Sequence, residues 1–149
     1  MKVTFFGNKD TPDSVLPTIQ AVLKAFIENE NATVFYVGHN GNFDKLVQQA
    51  LYTLKQQYPQ IVYFVVLTHH PKNSKNEVLY FNYENTILPE EIAVCPPRFA
   101  ISKRNNWMIK QSDVVVTYVK HPFGGAAKFK ELALSKKKRV VELSEVRST

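Results

Sequence analysis

Two patterns alternate along this chain. Compact apolar runs with almost no polar interruption lie at residues 3–6 (VTFF), 33–37 (TVFYV), 61–67 (IVYFVVL), 114–119 (VVVTYV) and 140–143 (VVEL). Between them, apolar residues recur at helical spacing: Val15, Leu16, Ile19, Val22, Leu23, Phe26 and Ile27, then Leu46, Val47, Ala50, Leu51 and Leu54. Short continuous β-branched and aromatic runs fit strands buried on both faces, and a 3.6-residue recurrence fits helices with one apolar side. The pattern therefore predicts an α/β chain whose parallel strands are covered by helices.

The breaks between the runs agree. Pro12 followed by Asp13 and Ser14 opens the first helix, Asn29-Glu30-Asn31 closes it, and Asp44 is placed to cap the second. Pro97 suits the first position of a helix carrying Arg98, Phe99, Ile101, Arg104, Asn105, Trp107, Met108 and Ile109, with Phe99, Ile101, Met108 and Ile109 expected on its buried side. A last helix is expected over 126–135. The connection 68–96, with aromatics Tyr80, Phe81 and Tyr83, fits a ligand-covering flap, a subunit contact or a surface excursion. Strand and helix alternating with short links have few right-handed solutions. The expected fold is a Rossmann-like doubly wound parallel sheet of about five strands in order 3-2-1-4-5, forming a single domain over 1–149.

Composition changes this picture little. The chain has 149 residues, 44% of them hydrophobic, which is enough for a core without staples. Its single cysteine, Cys95, excludes an internal disulfide and a four-cysteine metal site. No run approaches the ~18 apolar residues of a membrane span, so no membrane association and a cytoplasmic location are expected. No metal and no cofactor are expected either, since His39, His69, His70 and His121 lack ligand spacing. A formal net charge of +6 favours anionic partners without choosing among them. The basic run at Lys136, Lys137, Lys138 and Arg139 contains no interleaved aromatic residue, so nucleic acid ranks last among them.

Candidate chemistry lies at the loops that a doubly wound sheet gathers. The order 3-2-1-4-5 places its switch point between the first and fourth strands, where Gly7, Asn8 and Lys9 face Gly124, Gly125 and Ala126. Asn40, Gly41 and Asn42 stand beside them, and Arg98, Arg104 and Asn105 come from the preceding helix. A helix start carries unpaired N–H donors and a partial positive charge, so a phosphate is expected on Gly124, Gly125 and Ala126 with Arg104 pairing its charge. Trp107 reads as a packing or dimer-interface anchor or as a base-stacking platform. Neither the dinucleotide fingerprint nor the Walker A pattern is present.

Phe5-Phe6-Gly7-Asn8-Lys9-Asp10, YVGHNGNFD from Tyr36, PPRFAISKRNNWMI from Pro96, SDVVVTYV and GGAA occur in one order. Together they resemble the SLOG superfamily, in particular its small bacterial and prophage YpsA-like or YoqJ-like branch. The resemblance implies a Rossmann-like domain that binds a nucleotide-derived small molecule as a sensor or sequestering protein, and a homodimer paired through its helices. Its hydrolase members imply the alternative, a nucleoside monophosphate phosphoribohydrolase cleaving an N-glycosidic bond, with Arg104 and Glu131 as the catalytic pair. Here Ala127-Lys128 stands where those enzymes have Gly-Thr.

Overall fold

The computed structural model describes residues 1–69 and 85–146. Its elements are β1 (Lys2–Gly7), a 3-10 turn (Asp13–Val15), α1 (Leu16–Glu30), β2 (Val34–Val37), α2 (Asn42–Gln57), β3 (Val62–Val66), β4 (Thr86–Ile87), α3 (Glu90–Ala93), α4 (Pro97–Gln111), β5 (Val114–Tyr118), α5 (Gly125–Ser135), β6 (Arg139–Glu142) and a 3-10 turn (Leu143–Glu145). The sheet is parallel, in order β4-β3-β2-β1-β5-β6. This is the expected doubly wound α/β class, with six strands rather than five. The sixth, β4, comes from the long connection and adds to the edge beside β3, where Leu67 N–H donates to the Ile87 carbonyl at 2.8 Å. The aromatics Tyr80, Phe81 and Tyr83 lie outside the described residues.

The apolar runs are continuous because the central strands are buried on both sides. On one face Val3, Phe5, Val114 and Val116 pack with Ile19, Leu23 and Phe26 of α1 and Val47, Ala50 and Leu51 of α2. On the other, Phe6, Tyr36 and Val115 pack with Met108 and Ile109 of α4 and Phe129 and Ala133 of α5, with Ile92 of α3 joining them. Alternate side chains of one strand thus serve two cores, which removes the polar half of the usual strand pattern.

Local chemistry sets the helix ends. Pro17 sits in the first turn of α1, where no amide partner is needed, and Asn31 ends the helix in the left-handed region at φ 54° with its N–H on the Phe26 carbonyl. Pro97 is the first residue of α4, as its position predicts. One expectation for α4 fails: Met108 and Ile109 are buried, whereas Phe99 and Ile101 are 47% and 46% exposed, and Ala100, Arg104 and Asn105 face inward instead. The inward face of α4 borders a polar hollow, so its buried side is not its apolar side. Glu142 anchors the far edge, accepting from Thr117 Oγ1 and Lys130 Nζ at 2.8 Å each and so tying α5 to β5 and β6.

Candidate functional site

The hollow lies at the C-terminal ends of the central strands, where the chain turns to opposite faces of the sheet after β1 and β5. Phe5, Phe6 and Gly7 of β1, Lys9, Asn40, Asp44 of α2, Arg104, Asn105 and Met108 of α4, and Gly125, Ala126 and Phe129 of α5 line a cavity of about 80 Å³. Sites for whole drug-sized ligands run to several hundred Å³, so this space takes a phosphate-sized group and little more.

Arg104 governs its electrostatics. The side chain is only 2% exposed, and it makes no ion pair with any described residue. Its Nε donates to Asn105 Oδ1 at 3.1 Å and its Nη1 to Asn40 Oδ1 at 2.7 Å, both neutral amides. A guanidinium has five N–H donors, so these two bonds fix its plane and leave donors for whatever enters the cavity. Burial lowers its pKa, and Asp44 opposes that shift. Gly38 keeps the two charged groups close: a Cβ there would stand 2.8 Å from Asp44 Oδ2 and 3.1 Å from Arg104 Cζ.

Asp44 is the acid of the site. Its Oδ2 accepts the Asn40 amide at 2.9 Å, so the expected cap forms backwards, from the third helical residue to the loop before it. Burial pushes its pKa up to about 6, against the opposing pull of Arg104 and the Asn40 N–H. At neutral pH it is mainly ionised, facing Arg104, Lys9 and the positive end of α5. His39 stands behind this group with its ring 5.9 Å from that of His69. Burial first, then Arg104 and His69, lower its pKa to about 4, which keeps the imidazole neutral. Its Nε2 is buried without a hydrogen-bond partner among the described residues.

The helix start on the opposite wall is open. Gly124 caps α5 at φ 94°, ψ −178°, a conformation that excludes other residues. The first helical bond is Lys128 N–H to the Gly124 carbonyl at 3.1 Å, and the amides of Gly125 and Ala126 donate to no described residue. A Cβ at either Gly124 or Gly125 would meet nothing within 4 Å. Gly125 has neither the positive φ nor the packing that would demand glycine.

Of the residues expected in the site, Gly7, Lys9, Asn40, Arg104, Asn105, Gly125 and Ala126 line this cavity, and the others do not. Asn8 spends its Oδ1 on the Lys120 amide at 2.7 Å, joining the exits of β1 and β5. Asn42 donates to the Thr11 carbonyl at 2.6 Å and Asp13 Oδ1 at 2.8 Å, and Gly41 provides the cap of α2 at φ 92°. Arg98 is exposed, 4.8 Å over the Phe99 ring. Gly124 and Glu131 border a neighbouring groove of about 430 Å³ with Phe123 and Lys128. Even Gly7 has an internal reason, since a Cβ would overlap the Phe43 ring. The charged residue that sequence reasoning missed as a site member is Asp44; its one signal, a carboxylate three residues after a glycine, reads equally as a cap.

Fold and cavity together define a Rossmann-like α/β protein with a cationic, phosphate-sized hollow at its switch point. Compared with protein-family models the chain matches none, and no curated protein sequence matches it.

Proposed function

We propose that this protein binds a nucleotide-derived small molecule, as a sensor or sequestering protein, with the ligand's phosphate held between Arg104 and the first turn of α5. The observation that carries this reading is a buried arginine that makes no ion pair with Asp44 or any other described acid, sharing one cavity with the unengaged amides of Gly125 and Ala126. A buried charge is costly unless paired, and charge-assisted hydrogen bonds to a phosphate supply the pairing. Lys9 adds a second cation at the rim. The cavity holds the anionic group, and the remainder of the ligand lies outside it. The SLOG resemblance, with its nucleotide-derived ligands, belongs to the same proposal.

The alternative, hydrolysis of an N-glycosidic bond by Arg104 and Glu131, draws no support from the geometry. Arg104 lines the small cavity, whereas Glu131 is exposed along the neighbouring groove. A homodimer is proposed through the start of α4, supported by the exposure of Val94, Phe99 and Ile101 at 76%, 47% and 46%. Sedimentation that finds Phe99→Asp no less associated than the wild type removes that part. Among the described residues no helix is long and apolar enough to cross a membrane.

Calorimetric titration with inorganic phosphate, AMP, ADP-ribose and cyclic nucleotides tests the main reading. Phosphate is expected to bind near millimolar, worth about 4 kcal/mol, with at least one nucleotide tighter. Absence of binding across the panel at that level rejects it.

A further inference from the structure

A second, lysine-lined groove lies on the outward face of α4, apart from the cavity around Arg104. Lys103, Asn106, Trp107 and Lys110 of α4, Lys136 after α5 and Glu91 of α3 line a groove of about 270 Å³. Lys103 and Lys110 are seven residues apart, two turns along one side of the helix, with Asn106 and Trp107 between them. Lys136 opens the basic run that follows α5, and Lys137 extends it with a backbone φ of 59°. In the sequence that run carries no aromatic residue, but folding brings the indole of Trp107 alongside it. Tyr36 meets Trp107 edge to face at 5.2 Å, which holds a half-buried ring in the wall of this lysine-bordered groove.

We infer that this groove binds single-stranded nucleic acid, with a base against Trp107 and the backbone phosphates on Lys103, Lys110 and Lys136. Lysines alone would bind any polyanion. The fixed aromatic ring adds a flat apolar surface, on which a strand with unpaired bases can stack one base between phosphate contacts. A duplex hides its bases, and an acidic peptide does not repeat a planar group beside every charge as a single strand does. Glu91 is the one acid lining the groove among the described residues, set against three lysines.

Trp107 is the chain's single tryptophan, so its fluorescence reports on the groove directly. An oligothymidylate strand is expected to quench that emission saturably at low salt. The logarithm of affinity should fall with the logarithm of salt at a slope of about −2, the value for three neutralised phosphates on a single strand. The triple variant Lys103→Glu, Lys110→Glu, Lys136→Glu should lose binding at an unchanged thermal midpoint, because all three side chains are exposed. Lys110→Gln alone should flatten the slope by about 0.7. Arg104→Gln should bind the strand as the wild type does, which separates this site from the phosphate cavity. The inference is overturned if the strand leaves Trp107 emission unchanged, if heparin or a short duplex quenches it equally, or if the triple variant binds as well as the wild type.

Discussion

Two helices in this protein begin the same way and end up with opposite uses. α2 follows Gly41 at φ 92°, ψ 177°, and α5 follows Gly124 at φ 94°, ψ −178°. At α2 the protein closes its own helix start. Asn42 N–H donates to the Lys9 carbonyl at 2.9 Å, Asp44 turns back to the Asn40 amide, and a Cβ on Gly41 would stand 2.7 Å from Lys9 Cγ and 2.8 Å from its Cα. At α5 no described residue accepts from Gly125 or Ala126, and a Cβ on Gly124 or Gly125 would meet nothing within 4 Å. Both starts carry the same backbone dipole. What distinguishes them is that the first amide of α2 is taken by the Lys9 carbonyl and its third residue, Asp44, sets an acid there, while the first two amides of α5 have no described acceptor and share a cavity with a buried guanidinium. The same glycine geometry is a packing device in one place and an anion seat in the other.

The largest break in that comparison comes from removing the guanidinium. Arg104→Gln should lower phosphate affinity about a hundredfold, as loss of one partner of a buried charge-assisted contact does; calorimetry that finds less than a threefold change would detach the arginine from the site. Next come the glycines themselves. Gly41→Ala should cost about 2–3 kcal/mol of stability through its positive φ and its collision with Lys9, read from the urea midpoint. Gly125→Val, whose side chain enters open space, should change stability by about 0.5 kcal/mol or less and weaken phosphate binding about tenfold. The reverse pattern would mean that α5 is the sealed start.

A smaller effect concerns Asp44. An anion beside it disfavours its carboxylate, so binding should tighten as pH falls through about 6, where Asp44 takes up its proton. Sulfate keeps its charge over that range and is the appropriate probe; Asp44→Asn should bind it about tenfold more tightly at pH 7 and lose the pH dependence.

The smallest effect is on folding. Asp44 holds its proton more strongly when folded, so its contribution to stability is present at low pH and is lost as pH rises from about 4 to about 6. His39 binds its proton less strongly when folded, so its contribution is lost as pH falls from about 6.5 to about 4. The two act in opposite directions in the wild type. Relative to it, His39→Gln should gain stability on acidification over this window and Asp44→Asn should lose it, both measurable as urea midpoints.

Five of the six strands were legible as short β-branched and aromatic apolar runs, and the order of those five followed from their alternation with helices through short links. β4 and α3 were not, since a two-residue strand and one helical turn have no period to read. Inside the site the limits are different. Asn8, Asn40 and Asn42 look alike in a loop, yet Asn40 holds Arg104 while the other two hold backbone and loop. α4 misled for a related reason: Phe99 and Ile101 suggested a buried face that the polar hollow assigns to Arg104 and Asn105. Hydrophobic period reports what most helices bury, and it fails where a helix wall is also the wall of a site.

The most direct measurement follows individual backbone amides by NMR while phosphate is added. The account predicts large saturable shifts for the N–H groups of Gly125 and Ala126, following the same curve as the Arg104 side-chain Nε–H, with Asn42 at the start of α2 unmoved. Equal shifts at both helix starts, or none at Gly125 and Ala126 up to about ten millimolar phosphate, would contradict it.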